Sequence, residues 1–354
     1  PTGRRASPPG PAPGPLPDER GLPGPRRAAV LGSPIAHSLS PALHRAAYAW
    51  LGLQGWTYEA IEVASEGLPD FIDTLDASWA GLSLTMPLKA AVLPLLDEMS
   101  PLARDVGAVN TVRITPAAGP RPGLSSRRRE LYLYGDNTDV PGFAAVLTSH
   151  GRPAPARPVI LGAGNTAAAA VAALASLGAP QVGVFARRPA AAADSLGRLA
   201  DRLGVHLDVA GWPDPASASS VQRLLDADVV VATTPAGACD GVADAITAGT
   251  SAHAGTPTAV GALGLLVDVV YAPWPTRLAV AWSQAGGSVA SGLELLVEQA
   301  ARQVPVFTGL EPPVGELVAV MRAAGEAALG GSPGDPPADD PDRSPDGGGG
   351  GAPG

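Results

Sequence analysis

Lysine is almost absent from this chain: of its 24 basic residues Lys89 alone is a lysine, and the other 23 are arginine. Arginine replaces lysine on a surface at little cost. Its guanidinium does not release a proton near neutral pH, however, whereas a lysine ammonium can be brought to do so. A lone lysine among arginines is therefore a candidate for proton chemistry. Cysteine is equally scarce. With Cys239 alone no disulfide can form within the chain, which points to a reducing compartment, the cytoplasm. The five histidines, at positions 37, 44, 150, 206 and 253, lack HxxxH or Cys/His spacing, so no metal site is expected. No stretch of about 18 residues is apolar enough and free enough of charge, proline and glycine to span a membrane. A net charge of -9 disfavours a nucleic-acid partner, whose phosphates most of this surface would repel. The one basic run, Arg127 to Arg129, reads as a solvated loop.

What is present is enough apolar material, 45% of 354 residues, for two ordinary domains. Glycine and proline are abundant, but they concentrate at the ends. Residues 1–27 and 330–354 are so rich in Pro, Gly and polar residues that neither segment can bury enough surface to fold, and both read as disordered tails. The first also lacks the apolar centre of a signal peptide. Between the tails the chain alternates short apolar runs with helical patterns, the mark of an α/β fold. In the first block, Ala28 to Val30, Trp56 to Val63 and Leu82 to Thr85 read as strands. Ser40-Pro41 is a helix N-cap followed by proline at the first helical position. Pro87 opens another helix, with Lys89 in its first turn. Asn110 to Ile114 and Glu130 to Tyr134 read as paired strands joined by a long polar loop, and a helix follows from about Pro141 to His150.

A second block opens with the strand Val159 to Leu161, then the turn Gly162-Ala163-Gly164-Asn165-Thr166-Ala167, an alanine-rich helix to Leu177, and the strand Gln181 to Phe185. A GxGxxA turn set between strand and helix is the context in which this motif holds a pyrophosphate: glycines allow close backbone approach and the helix N-terminus offers free N–H groups. Further strands at Val205 to Val209, Asp228 to Ala232 and Leu265 to Tyr271 complete a Rossmann-type sheet. After the second strand, where an acidic residue would favour NAD, the sequence reads Ala186-Arg187-Arg188. Two arginines there favour the 2'-phosphate of NADP; they also read as a solvated helix start.

Oxidising a secondary alcohol needs a base within hydrogen-bond reach of the departing proton. No tyrosine has a lysine four residues on, which excludes the Tyr-x-x-x-Lys device of short-chain dehydrogenases. Lys89 remains, with Asp139 as its carboxylate partner in the run Gly135-Asp136-Asn137-Thr138-Asp139 just before the helix between the blocks.

These motifs in this order resemble the shikimate dehydrogenase family over about Ala28 to Leu329. The resemblance rests on GSPIAHSLSP (Gly32 to Pro41), SLTMPLK (Ser83 to Lys89), GAVNT (Gly107 to Thr111), GDNTD (Gly135 to Asp139) and the GAGNTA turn. ATTPAG (Ala232 to Gly237), Asp268 with Tyr271, and SGLELLVEQA up to Gln299 add to it. It implies a substrate-binding α/β domain at residues 28–140, an NADP-binding Rossmann domain at 141–289, and a C-terminal helical segment, 290–329, that returns to complete the first domain. The implied activity is NADPH-dependent reversible reduction of 3-dehydroshikimate to shikimate by a monomer or homodimer. The alternatives are a quinate/shikimate dehydrogenase using NAD and a noncatalytic metabolite-binding relative. Methylene-tetrahydrofolate dehydrogenases share the two-domain plan but explain neither the paired serines nor GDNTD.

Residue by residue, the resemblance makes Lys89 and Asp139 the catalytic pair. Ser38 and Ser40 would hold the substrate carboxylate, Thr85, Asn110 and Asp139 the ring hydroxyls, and Tyr271 and Gln299 would close the pocket. Gly162, Ala163, Gly164, Asn165, Thr166, Ala167, Arg187, Arg188 and Thr233 would bind the cofactor. Taken singly, Asp139 also reads as a helix cap and Asn110 as a strand-end residue; His37 matches a motif position without assigned chemistry. Two departures fall near the expected pocket: Ser83 where the motif often has asparagine, and Glu294 where glycine is common. The NADP pattern is also incomplete, with Ala191 where a further arginine is usual.

Overall fold

The computed structural model describes residues 24, 26–117, 130–214, 218–252 and 263–330. The run Arg127 to Arg129 and nearly all of both expected tails lie outside these residues. The N-terminal boundary is corrected inward: Arg27 begins the first strand and stacks its guanidinium over the Trp79 ring, 4.4 Å from the centroid. At the other end Gly330 still belongs to the last helix.

Two sheets make up the molecule. The first contains β1 (Arg27–Gly32), β2 (Thr57–Glu62), β3 (Trp79–Leu84), β4 (Glu98–Met99), β5 (Thr111–Pro116) and β6 (Leu131–Asp136), in the order β2-β1-β3-β5-β6-β4. It is mixed: β1 runs parallel to β2 and β3, while β5 runs antiparallel to β3 and β6. Strand β1 shows why its sequence is an unbroken apolar run. Ala28 and Val30 pack to one face with Leu43 and Tyr48, Ala29 and Leu31 to the other with Leu68 and Leu82, so both faces are buried. Strand β3 begins three residues before the expected Leu82, because Trp79, Ala80 and Gly81 are buried as well.

The second sheet is all parallel, in the order β12-β11-β10-β7-β8-β9, from β7 (Pro158–Leu161), β8 (Gln181–Ala186), β9 (His206–Gly211), β10 (Val229–Ala232), β11 (Leu265–Asp268) and β12 (Ser288–Ala290). This is the doubly wound dinucleotide-binding order, whose chain reverses direction between β7 and β10; ligands sit outside the carboxyl ends of the strands at that point. Strand β11 ends at Asp268, three residues short of the expected Tyr271, so Tyr271 lies on a loop.

Helices α1 (Ser40–Trp50), α2 (Leu68–Asp73), α3 (Leu88–Ala91) and α4 (Pro101–Val106) belong to the first sheet, and α6 (Asn165–Ser176), α7 (Pro189–Leu203), α8 (Ala218–Leu225), α9 (Asp240–Ala252) and α10 (Arg277–Gln284) to the second. Between them α5 (Asp139–Ser149) packs on α6 and on α11 (Gly292–Thr308). α11 and α12 (Val314–Gly330) return to the first sheet and α1. The return is tight. A Cβ on Gly81 of β3 would come within 2.2 Å of the Phe307 ring, so only glycine lets α11 lie against that strand.

Two helix starts differ from expectation. Ser40 is not the N-cap of α1 but its first residue; Leu39 precedes it without a side-chain cap, and Ser38 Oγ accepts from Ser40 N at 3.3 Å. Asp139 is not before α5 but is its first residue.

The face of the first sheet covered by α1 carries an aromatic cluster centred on His44, which is fully buried, stacks on Tyr58 at 3.9 Å, and makes a 3.0 Å bond from Nδ1 to the Ser40 carbonyl. Burial lowers its pKa to about 4, against 6.5 for the free side chain. The unfolded chain therefore takes up this proton first as pH falls. Stability is fully present above pH 6.5 and declines toward pH 4, by about 3 kcal/mol. In urea unfolding at pH 7 and pH 4, the wild-type chain is expected to lose about 3 kcal/mol more than His44→Phe; equal acid slopes in the two chains would refute the neutral, buried imidazole.

Candidate active site

A cavity of about 360 Å³ opens where the carboxyl ends of β1 and β3 face α11 and the loop after β11. All eight residues expected for catalysis and substrate binding line it: Ser38, Ser40, Thr85, Lys89, Asn110, Asp139, Tyr271 and Gln299. So does Thr166 of the GAGNTA turn, which brings the nucleotide loop to the edge of the same space. Separate elements deliver them. Thr85 follows β3 and Lys89 is the second residue of the single-turn α3. Asn110 precedes β5, Asp139 starts α5, and Gln299 comes from the middle of α11. Because α3 has only four residues, its dipole is a smaller influence on Lys89 than a full-length helix would be.

Lys89 Nζ donates to Asp139 Oδ2 at 2.5 Å, with the two side chains only 13% and 9% exposed. A nearly buried ion pair needs its remaining hydrogen-bonding capacity satisfied. Asn110 does this: its Nδ2 donates to the other carboxylate oxygen, Oδ1, at 2.7 Å and also reaches Thr138 Oγ1 at 3.0 Å and Gln299 Oε1 at 3.3 Å. Asn110 Oδ1 in turn accepts from Thr138 N at 2.8 Å and from Thr111 Oγ1 at 2.7 Å. Asn110, directly before β5, is therefore more than a strand-end residue: it links the carboxylate to the sheet. Asn137, next in the GDNTD run, caps α5 by accepting from Asp139 N and Val140 N and donating to Ala108 O.

Tyr271 stands on a loop whose two ends are held by Asp268. That carboxylate accepts from Val270 N at 3.1 Å and from Thr276 Oγ1 at 2.6 Å, while burial pushes its pKa up. Burial also raises the Tyr271 pKa, so its phenol is a neutral donor. Tyr58, fully buried, donates to the hydroxyl of Ser83 at 2.6 Å, and Ser83 lines the cavity. Glu294, by contrast, points away from it: Glu294 and Ser291 form a capping box for α11, and Glu294 Oε2 lies 2.8 Å from His150 Nε2.

The sequence reading missed Gln303, Thr111, Thr138 and Tyr58. Gln303 had a signal, since it lies four residues after Gln299 and so on the same face of a helix. Thr111 and Thr138 lie inside the GAVNT and GDNTD motifs, where nothing local distinguishes their hydroxyls. Nothing in the sequence marks Tyr58, which reaches the site by packing alone.

On the nucleotide side Gly162 has φ +118°, and a Cβ there would lie 2.4 Å from Thr233 Oγ1, so this turn requires glycine. Thr233 is pinned beside it, its N and Oγ1 both donating to Leu161 O. Gly164, by contrast, faces open space, and no side chain caps α6, which starts at Asn165 and Thr166. Ala163 packs partly against the core, and Ala167 is buried, as close packing of helix on strand demands. Arg187 and Arg188 are exposed, and their side chains have no ion pair or hydrogen bond among the described residues. An open backbone cradle at an uncapped helix start, with two unpaired guanidinium groups beyond the neighbouring strand, fits a dinucleotide carrying an extra phosphate. Among the described residues no three His, Cys, Asp or Glu side chains group as metal ligands, and no helix is long and apolar enough to cross a membrane.

Comparison with known proteins agrees with this geometry. Residues 30–112 match the shikimate dehydrogenase substrate binding domain. A shikimate dehydrogenase (NADP(+)) of Thermus thermophilus is 35% identical over 300 residues, 84% of this chain and 99% of the relative. A crystal structure of Mycobacterium tuberculosis shikimate dehydrogenase superposes with a TM-score of 0.69 at 38% identity, covering 84% of this chain and 100% of that one. A Thermus thermophilus shikimate 5-dehydrogenase, solved in complex with NADP(H) and shikimate, matches with a TM-score of 0.64 at 33% identity, covering 86% and 100%. With relatives this similar matched along nearly their full length, the chain belongs to the shikimate dehydrogenase family.

Proposed function

We propose that this protein catalyses the reversible reduction of 3-dehydroshikimate to shikimate with NADPH, and that Lys89 handles the proton. The observation that carries the reading is the 2.5 Å Lys89–Asp139 pair in a cavity whose other walls are hydroxyl and amide side chains. It is supported by relatives named as NADP-dependent shikimate dehydrogenases and by one solved with both NADP(H) and shikimate.

The cofactor, when bound at the Gly162 to Ala167 turn, supplies the hydride. The residues of the chain do the rest. Ser38 and Ser40, beside the start of α1, hold the substrate carboxylate, and the ring hydroxyls fall to Thr85, Asn110 and Asp139. Gln299 uses one amide hydrogen on Leu296 O, which leaves the other for substrate. Tyr271 donates its phenol from the facing loop. As the carbonyl carbon receives hydride, Lys89 Nζ gives a proton to the carbonyl oxygen, so that ketone, hydride and proton become alcohol. In the oxidative direction Nζ takes that proton back. Asp139 aims the ammonium. Arg187 and Arg188 meet the 2'-phosphate.

Lys89→Ala is expected to lower kcat by about 10²- to 10⁴-fold, the usual contribution of an acid/base group, with NADPH binding unchanged; turnover within about tenfold of wild type would remove Lys89 from the mechanism. Steady-state rates with shikimate and quinate, each with NADP and NAD, are expected to be highest for shikimate with NADP. Preference for quinate with NAD would defeat the substrate and cofactor assignment. Replacing both Arg187 and Arg188 by alanine is expected to raise the KM for NADPH by about 10- to 100-fold, as for lost charged hydrogen bonds, and to leave that for NADH nearly unchanged. Equal effects on both cofactors would show that the arginines do not read the phosphate.

A further inference from the structure

We infer that Gln303 is a positioning residue for the reaction proposed above, acting on the catalytic pair by fixing which way the Asn110 amide points. Gln303 is 1% exposed and lies one helical turn beyond Gln299 on α11. Its Oε1 accepts from Ser83 Oγ at 2.7 Å, and its Nε2 donates both to the Asn110 carbonyl at 3.1 Å and to Thr111 Oγ1 at 2.9 Å.

The directions of these bonds are mutually dependent. Burial raises the Tyr58 pKa, so that phenol keeps its proton and donates it to Ser83 Oγ at 2.6 Å. Ser83 must then use its own hydrogen on Gln303 Oε1. With Oε1 so engaged, the amide nitrogen of Gln303 faces Thr111, whose oxygen becomes an acceptor and whose hydrogen goes to Asn110 Oδ1. Together with the Thr138 N–H, which also donates to Asn110 Oδ1, this keeps the Asn110 NH₂ turned toward Asp139 Oδ1. This series of hydrogen bonds, each with its donor on the Tyr58 side, ends on the carboxylate that holds Lys89. Reversing the Asn110 amide would set its oxygen against Asp139 and leave Thr138 N and Thr111 without their acceptor. Ser83 contributes a hydroxyl that both accepts and donates, which a serine supplies in one atom.

Two measurements test this. In the ligand-free protein the Asn110 side-chain amide protons, identified by their loss in Asn110→Ala, are expected to exchange slowly with solvent, and to exchange at least about tenfold faster in Gln303→Met. In steady-state assays Gln303→Met is expected to lower kcat by about 10- to 100-fold with the KM for NADPH within about twofold of wild type. In an Asn110→Ala background the same change is expected to alter kcat by less than about twofold, because its target is gone. Gln303→Glu keeps the volume but offers at most one hydrogen to two acceptors, and gives the same pattern should the methionine chain fail to fold. Unchanged Asn110 amide exchange in a folded Gln303 variant, or full additivity with Asn110→Ala, would overturn the inference; a residue that merely filled space would lower the melting temperature and give that additivity. A wild-type chain inactive on 3-dehydroshikimate would instead remove the reaction proposed above. The amide measurement needs no substrate and still decides the role of Gln303.

Discussion

A lysine ammonium set 2.5 Å from a carboxylate, with both side chains almost out of water, is the constraint around which the substrate side of this molecule is arranged. Such a pair is not secured by its own attraction. Desolvation offsets much of the Coulombic gain, and the balance depends on whether the leftover lone pairs find donors. Here Asp139 Oδ1 has Asn110, Asn110 has Thr111 and Thr138, and Thr111 has Gln303. A chemical requirement at one oxygen atom thus extends to the returning C-terminal helix, which explains why residues near 300 must lie against a strand near 81.

The same geometry brings the two sheets together at the place where they have something to exchange. Asp139 is the first residue of α5, the helix that leaves the first sheet and packs on α6 of the second. Helix α6 starts at the glycine turn, and Thr166 in its first turn lines the substrate cavity. One helix therefore carries the carboxylate at its start and packs on the helix that begins at the glycine turn. Loop 268–276, clamped by Asp268, adds Tyr271 from the side of the second sheet.

Much of this was readable from residues in a row. The glycine turn between an apolar strand and an alanine-rich helix stood out, because close backbone approach restricts residue type locally. Lys89 was marked by composition. Ser38, Ser40, Thr85, Asn110, Asp139, Tyr271 and Gln299 could be named because each lies in a motif, and all of them meet in one cavity. Errors clustered at element ends: Ser40 and Asp139 fall inside helices, not at their caps, and β11 stops at Asp268. Helix and strand ends depend on which backbone groups find partners across the fold, and that is not a local property. Glu294, which stands near the expected pocket where glycine is common, is a helix cap facing His150.

The sequence by itself determined the alternation of strands and helices, the glycine turn between strand and helix, and the position of the one lysine in a chain otherwise supplied with arginine. These follow from patterns a few residues long, or from composition. The tertiary structure decided what Lys89 touches and what holds its partner in place. Gln303 and Tyr58 entered the site only there, because residues 58, 83, 111 and 303 become neighbours through strand pairing and the return of α11. The direction of a hydrogen-bond chain is fixed by the closed set of its donors and acceptors, and that set exists only once distant segments are packed together.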